Sequence, residues 1–386
     1  MSADLVDGNR LALLRNGAEY FPALESAIDA AHYEIHLQSY IFADDITGRR
    51  IADALARAAR RGVTVNVVVD GYGTRNYLGE LSELMPAASI QLLIFRPELG
   101  VLNLSRQRLR RMHRKIALID RKVAFVGGIN IIDDMHTPKH TPPRYDYAVR
   151  IEGPVLWPII EQTRRLWRVV AWANLKQNLD APPRVTPALD VQGWQRAAFV
   201  VRDNFRYRSD IEDAYLEAIE AAQEEIVIAN AYFFPGRRFR RALAQAAERG
   251  VNVILLLQGR VEYVLLHHAS RALYGSLLDS GVEIHEYHKS FLHAKVAVVD
   301  GRWATVGSSN IDPFSLMLAR EANLVVDDRR FALELRESLA EHMSSGAIPV
   351  ARQSWRRRPL RQRLVIWAAY GIARVLMGLF GYGGRH

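Results

Sequence analysis

The sequence predicts a duplicated α/β protein: two halves of one build, each a mixed sheet between helix layers, sharing a single functional site where they meet. Three observations carry that expectation. A polar pattern occurs twice at identical spacing, the stretches ahead of each copy match one another, and in both halves short apolar runs alternate with helical ones.

The polar pattern starts at His113 and again at His293. Counted from each histidine, Lys115 and Lys295 fall at +2, Asp120 and Asp300 at +7, Gly127 and Gly307 at +14, and Asn130 and Asn310 at +17. With 12 His and six Lys in 386 residues, chance His-x-Lys triplets should number only ~0.2. One triplet would be weak, but two with the same companions are a strong signal. Arg supplies 45 of the 51 basic side chains, so a lysine in both triplets marks a place that wants a compact ammonium rather than a planar fork.

Local structure follows from pattern. Residues 115–120 and 295–300 are short apolar runs rich in β-branched residues and read as buried strands. The period of two puts His113 and Lys115 on one strand face, and likewise His293 and Lys295. Asp120-Arg121-Lys122 and Asp300-Gly301 turn each chain back into a second strand, Val123 to Val126 and Trp303 to Val306. Asp120 and Asp300 therefore read first as turn-fixing residues. Gly127-Gly128 and Gly307-Ser308 can bring backbone close to a ligand, and Asn130 and Asn310 can donate an amide.

The repeat extends upstream. Residues 31–42 resemble 222–233, and residues 51–65 resemble 239–253. Each copy reads as helix, strand, a helix ended by Gly62 or Gly250, and a further strand (63–69, 251–257). The expected layout is a first domain over 1–175, a linker over 176–196 marked by Pro182, Pro183 and Pro187, a second domain over 197–345, and a tail over 346–386.

Composition narrows the setting. An apolar content of 49% supports a large core, and the lack of cysteine removes disulfides and thiolate sites, which suits a cytoplasmic protein. Met1 to Gly8 has neither a basic nor an apolar region of a signal peptide, so none is expected. The net charge of +9 is concentrated: residues 351–386 hold eight Arg and no acid, and taking these away leaves 43 basic against 42 acidic residues. So neutral a body argues against a nucleic-acid surface.

Paired HxKxxxxD motifs, each followed by Gly-Gly or Gly-Ser and Asn, resemble those of the phospholipase D superfamily. The resemblance implies two halves related by a pseudo-twofold axis with one phosphodiester site between them. It implies that His113, Lys115, Asp120, His293, Lys295 and Asp300 form the catalytic set, with Gly128, Ser308, Asn130 and Asn310 around the phosphate. One imidazole would attack phosphorus to give a phosphohistidine, while the other protonates the leaving alcohol and then deprotonates the incoming one. His113 is taken as the nucleophile and His293 as the acid. The lysines and asparagines would hold the charge on the equatorial oxygens, with no metal and no cofactor. Asp146, 33 residues after His113, and Glu321, 28 after His293, would each orient the histidine of their own motif.

Arg111-Met-His-Arg-Lys-Ile116, residues 146–154 and Asp70-Gly-Tyr-Gly73 are similar to the bacterial cardiolipin synthases, especially the shorter B-type. The likeness covers about residues 8 to 345. It implies transfer of a phosphatidyl group from one phosphatidylglycerol to another with release of glycerol. A hydrolytic phospholipase D or a phosphodiesterase or nuclease would use the same residues. The expected partners are phosphatidylglycerol and an anionic membrane surface, with no nucleic acid, at the cytoplasmic side of the cell inner membrane.

Outside the motifs, seven basic residues between Arg96 and Lys115 suggest a rim for anionic headgroups, and Met135 to Pro143 a lid, with His136 and His140 as surface residues. Trp157, Trp167 and Trp172 are expected to pack within one helix, and His267-His268 is assigned no metal. In the tail, Leu364 to Phe380 carries only Arg374 and spans ~26 Å as a helix, short of the ~30 Å hydrocarbon core. It is expected to lie in the membrane interface; spanning or docking on the protein's own surface are the alternatives.

Overall fold

The computed structural model describes residues 4–85, 90–97, 110–137, 141–174, 186–203, 207–261, 264–312, 315, 318–356 and 359–379. Most of the basic stretch after Arg96, the centre of the Pro/His loop and residues 175–185 lie outside them.

The first half runs β1 (Val6–Arg15), α1 (Asn16–Asp29), β2 (Glu34–Ser39), α2 (Ile46–Arg60), β3 (Thr64–Asp70), α3 (Leu78–Leu84), β4 (Gln91–Phe95), β5 (Lys115–Ile119), β6 (Val123–Gly127), β7 (Arg144–Tyr145), β8 (Tyr147–Glu152) and α4 (Leu156–Ala173). The second half repeats the plan. It runs β9 (Gln195–Arg202), α5 (Asp210–Ala221), β10 (Glu225–Asn230), α6 (Arg237–Glu248), β11 (Asn252–Gln258), α7 (Val264–Arg271), α8 (Tyr274–Asp279), β12 (Glu283–Tyr287), β13 (Phe291–Leu292), β14 (Lys295–Val299), β15 (Trp303–Gly307), β16 (Glu321–Asp327) and α9 (Arg329–Gly346). Three short or terminal elements follow: β17 (Ala347–Pro349), α10 (Arg352–Arg356) and α11 (Leu360–Leu379). Thus residues 347–349, expected to begin the tail, instead add an edge strand that pairs with β12.

The strands form one 15-stranded sheet in the order β17-β12-β11-β10-β14-β15-β16-β9-β1-β8-β6-β5-β2-β3-β4. Read outward from the antiparallel β1/β9 junction, the two arms follow the same order, so the sheet is two fused copies. Open twisted sheets rarely exceed ~10 strands, and fusing two smaller ones explains the size. Parallel pairs β2/β3 and β10/β11 carry helical crossovers, while β5/β6 and β14/β15 are hairpins.

Local chemistry explains the boundaries. The Asp45 side chain caps α2 by accepting from the Thr47 and Gly48 N–H groups. Gly62 and Gly250 follow α2 and α6 with φ of +88° and +91°, the left-handed exit that glycine makes at least cost. Both hairpin turns carry two left-handed residues, Asp120-Arg121 and Asp300-Gly301. Arg121 holds there although it is not glycine; its guanidinium reaches buried Glu34 at 2.5 and 3.1 Å.

Three apolar layers build the body. Outer clusters bury α1 and α2 on the first arm and α5 and α6 on the second. A central cluster draws Leu118, Val126 and Val149 together with Val298, Val306, Leu324 and Leu339, so the halves share a core. Of the three tryptophans expected to pack, Trp167 is buried, whereas Trp157 and Trp172 are exposed because they lie on the outer face of α4.

Candidate active site

Each histidine arm is anchored by the opposite half. His113 N–H donates to the Arg320 carbonyl at 2.9 Å, and Arg320 N–H donates to the Arg111 carbonyl at 2.7 Å. His293 N–H donates to the Tyr145 carbonyl at 2.8 Å, next to the parallel β7/β13 pair that matches Arg144 with Phe291. These crossings bring the two motifs into one buried site.

They also correct the expected pairing of the carboxylates. His113 Nδ1 lies 3.0 and 3.1 Å from the two oxygens of Glu321, and His293 Nδ1 lies 2.6 Å from Asp146 Oδ2. Each acid serves the histidine of the other motif, not its own. The reason is the strand crossing: the residue after Arg320 and the residue after Tyr145 start from backbone already bonded to the opposite histidine arm. With Nδ1 fixed as donor to a carboxylate, each ring is left with Nε2 as its basic atom.

Asp120 and Asp300, grouped with the catalytic set, are not in the site. Each stands at the far end of its strand, five residues or roughly 17 Å beyond the lysine. Asp120 accepts from the His32, Tyr33 and Glu34 N–H groups at 2.8, 2.8 and 2.9 Å. Asp300 accepts from Gln223, Glu224 and Glu225 at 2.9, 2.8 and 2.9 Å. Both tie their hairpin to the strand of the preceding βα unit, as the turn reading expected. Asp120→Asn should therefore lower the melting temperature by several degrees while kcat of the folded fraction stays within about threefold, because charge-assisted hydrogen bonds are lost far from the chemistry. Thermal denaturation beside an activity assay checks this.

Gly128 and Ser308 both pack against the carboxylates. A Cβ at Gly128 would fall within 2.3 Å of Asp146 Oδ1, so glycine makes the space Asp146 occupies. In the second half Ser308 Oγ donates to Glu321 Oε2 at 2.5 Å and accepts from the Ala322 N–H at 3.1 Å. Asn130 and Asn310 are both buried at the strand exits. Asn130 Oδ1 accepts from the Ile41 N–H at 3.1 Å, while Asn310 Oδ1 meets no hydrogen-bond donor among the described residues.

The lysines lie at the floor. Lys115 Nζ donates to the His113 carbonyl at 2.5 Å and stands 5.4 Å from the Tyr40 ring. Fully buried Lys295 donates to the His293 carbonyl and sits 3.5 Å from Asp146 Oδ2. Burial pulls the Lys115 ammonium down to about 7, against the pull of Glu321 in the other direction. Burial also lowers both imidazoles, with Lys115 and Lys295 adding to the effect, Glu321 opposing it at His113, and His293 falling furthest. Burial raises Asp146, and Lys295 opposes that rise. Burial thus favours a neutral, nucleophilic His113 at neutral pH.

Several residues of the site lie outside the paired motifs. Buried Asp70 ends β3 and accepts from the Met112 N–H at 2.8 Å, fixing the arm that carries His113. Its sequence sign was an acid closing an apolar strand ahead of Gly-Tyr-Gly. Tyr40 packs edge-on against His113 with centroids 4.8 Å apart, and Phe291 lies 5.8 Å from His293. Tyr40 aligns with Ala231 in the repeat, so the two ends of the site differ.

The family model described as "Cardiolipin synthase, PLD-like domain" matches residues 24–162 and 215–343, one segment per half. Cardiolipin synthase B of Shigella flexneri is 39% identical over 343 residues, covering 86% of this chain and 80% of that protein. Cardiolipin synthase B of Escherichia coli K12 is 38% identical over the same shares. Among solved structures, phosphatidylserine synthase of Haemophilus influenzae Rd KW20 shares the fold at a TM-score of 0.68 and 14% identity, over 95% of this chain and 93% of that one. With two matched segments, one on each side of the shared site, the chain belongs to the phospholipase D-like cardiolipin synthase family.

Proposed function

We propose that this chain transfers the phosphatidyl group of one phosphatidylglycerol to a glycerol hydroxyl of a second, forming cardiolipin and releasing glycerol. The observation that supports it most is the pair of imidazoles at the seam, each held by a carboxylate from the opposite half above two buried lysines. In this reading His113 Nε2 attacks phosphorus, the bond from phosphorus to the glycerol oxygen breaks, and that oxygen takes the Nε2 proton of His293, which enters the step as an imidazolium paired with Asp146 and favoured by the negative charge of the bound diester. The second lipid's hydroxyl then returns a proton to His293 as its oxygen displaces His113. One diester replaces another, and the single phosphate charge is carried throughout by the lysines and the asparagine amides. The likeness to proteins named cardiolipin synthase B supports this substrate.

The reading includes peripheral attachment at the cytoplasmic side of the inner membrane. No helix among the described residues is long and apolar enough to cross a bilayer. Instead α11 docks on the body through Ile366, Ala369 and Tyr370, the last lying 5.8 Å from Phe234. Leu360, Leu364, Val365, Trp367, Ile372 and Val375 on its outer side are 53–74% exposed. An apolar stripe flanked by arginines suits the headgroup boundary of an anionic leaflet. Docking on the protein and lying in the interface, set apart as alternatives in the sequence, are compatible in this reading, since one face of α11 packs on the body and the other is exposed.

Incubating pure protein with phosphatidylglycerol vesicles and weighing the products by mass spectrometry tests the proposal. Cardiolipin with stoichiometric glycerol is expected. Phosphatidic acid would show water as the acceptor, and unchanged lipid would overturn the reading.

A further inference from the structure

Beneath α11 lies a cavity of about 370 Å³, walled by α6, α7, α8 and α10 and separate from the histidine site. Its lining is unlike that of an ordinary void: Arg240, Arg271 and Arg363 face it together with Trp355, Trp367 and Ser276. Arg271 is already neutralised, reaching Glu286 at 2.5 to 3.0 Å. Arg240 has no carboxylate partner among the described residues, and its Nε is buried without a hydrogen bond. Burial lowers its proton affinity most, and Arg237 and Arg374 stand near enough to add like charge, against a contact with Tyr370. A half-buried guanidinium among like charges costs stability unless an anion arrives.

We propose that this cavity binds the phosphate of an anionic phospholipid that is not being turned over, with its acyl chains running out beside the apolar stripe of α11. Arg240 and Arg363 supply the charge-assisted donors, and the Trp355 indole, packed 5.0 Å from the Tyr274 ring, forms a rigid wall. The exit toward lipid follows from the exposed Trp367 and Leu364 on the same helix. The helix over the cavity is itself linked to the reaction centre: Phe234, against which α11 packs, donates its N–H to the carbonyl of Ile311, the residue after Asn310. A lipid held here fastens α11 and turns the mouth of the site to the bilayer. The inference rests on the membrane reading above but not on the reaction.

The test uses the full chain carrying His293→Asn, so that no lipid is consumed. Binding is measured by sedimentation with phosphatidylcholine vesicles containing phosphatidylglycerol. Adding Arg240→Gln and Arg363→Gln should weaken binding about tenfold relative to Arg329→Gln with Arg330→Gln, exposed residues on α9 that remove the same charge. Equal loss in both double variants would mean surface charge alone and would overturn the proposal. So would tight binding of inorganic phosphate in the absence of vesicles, which would make free phosphate the occupant. Should the double variant fail to fold, phosphatidylglycerol bearing a photoreactive headgroup must label the peptides holding Trp355 or Trp367 in the native chain; labelling confined to other peptides overturns it. Because binding is read without turnover, a failure to make cardiolipin leaves this result independent.

Discussion

Asp146→Asn will cut kcat by about 10³- to 10⁴-fold, and the loss will fall on the step that His293 performs, although Asp146 lies in the chain segment of His113. The magnitude follows from what a buried carboxylate does for an imidazole: it fixes the tautomer and steadies the imidazolium, and an amide of the same shape does neither. The location follows from the 2.6 Å contact between Asp146 and His293 Nδ1 and the contacts of 3.0 and 3.1 Å between Glu321 and His113. A phosphodiester with a nitrophenyl leaving group separates the steps, since that alcohol departs without a proton. With it, Asp146→Asn should keep a rapid burst of nitrophenol and then stall, whereas Glu321→Gln should lose the burst. The opposite pattern would mean that each acid serves its own motif or that His293 is the nucleophile. Quantifying the labelled phosphoenzyme distinguishes these, because a switched nucleophile moves the label to His293.

Replacing His293 by asparagine will abolish transfer, by about 10⁴-fold or more, and will trap phosphate on His113 when the activated diester is supplied. His113→Asn will give no phosphoenzyme. Peptide mapping after an acid-free quench reads both outcomes, and label on any third residue would sink the assignment. The pH dependence carries the sign of the buried groups. His113 must be unprotonated to attack, and burial has moved its midpoint below the ordinary 6.5, so the burst should persist under mildly acidic conditions and be lost only as pH falls through that lowered midpoint. Lys115 must be protonated, and its ammonium is lost as pH rises through about 7, so kcat/KM should decline on the alkaline side of neutrality. Lys115→Arg should abolish that decline while lowering the maximum, because a planar fork does not fit where the ammonium donates to the His113 carbonyl.

Much of this architecture was legible in the sequence because its causes are local. Short apolar runs, turns begun by an aspartate and glycine helix exits are each decided within a few residues, and the duplicated spacing pointed to one shared site. The exchange of carboxylates was not legible. Asp146 and Glu321 follow their own histidines by similar intervals, so spacing alone favours pairing within a motif; only the long-range bonds of Arg320 and Tyr145 to the opposite arms reverse it. Gly128 reads in sequence as room for ligand because a glycine reports free space without saying what fills it, and here Asp146 fills it. Tyr40 was invisible because one aromatic at a strand end has no periodic partner, and its lack of a counterpart at Ala231 hides it from a search for repeats.

The junction of β1 with β9 bears on the ancestry of the chain. Standing alone, each arm of the sheet would end there on an unpaired edge, and each holds half of the charged groups that one diester requires. A single arm would expose that edge to whatever strand came near and would do chemistry only by joining a twin. Tethering the twins in one polypeptide removed the need for them to stay identical, and the differences between Tyr40 and Ala231, Gly128 and Ser308, and Asp146 and Glu321 are the freedom that tether allowed.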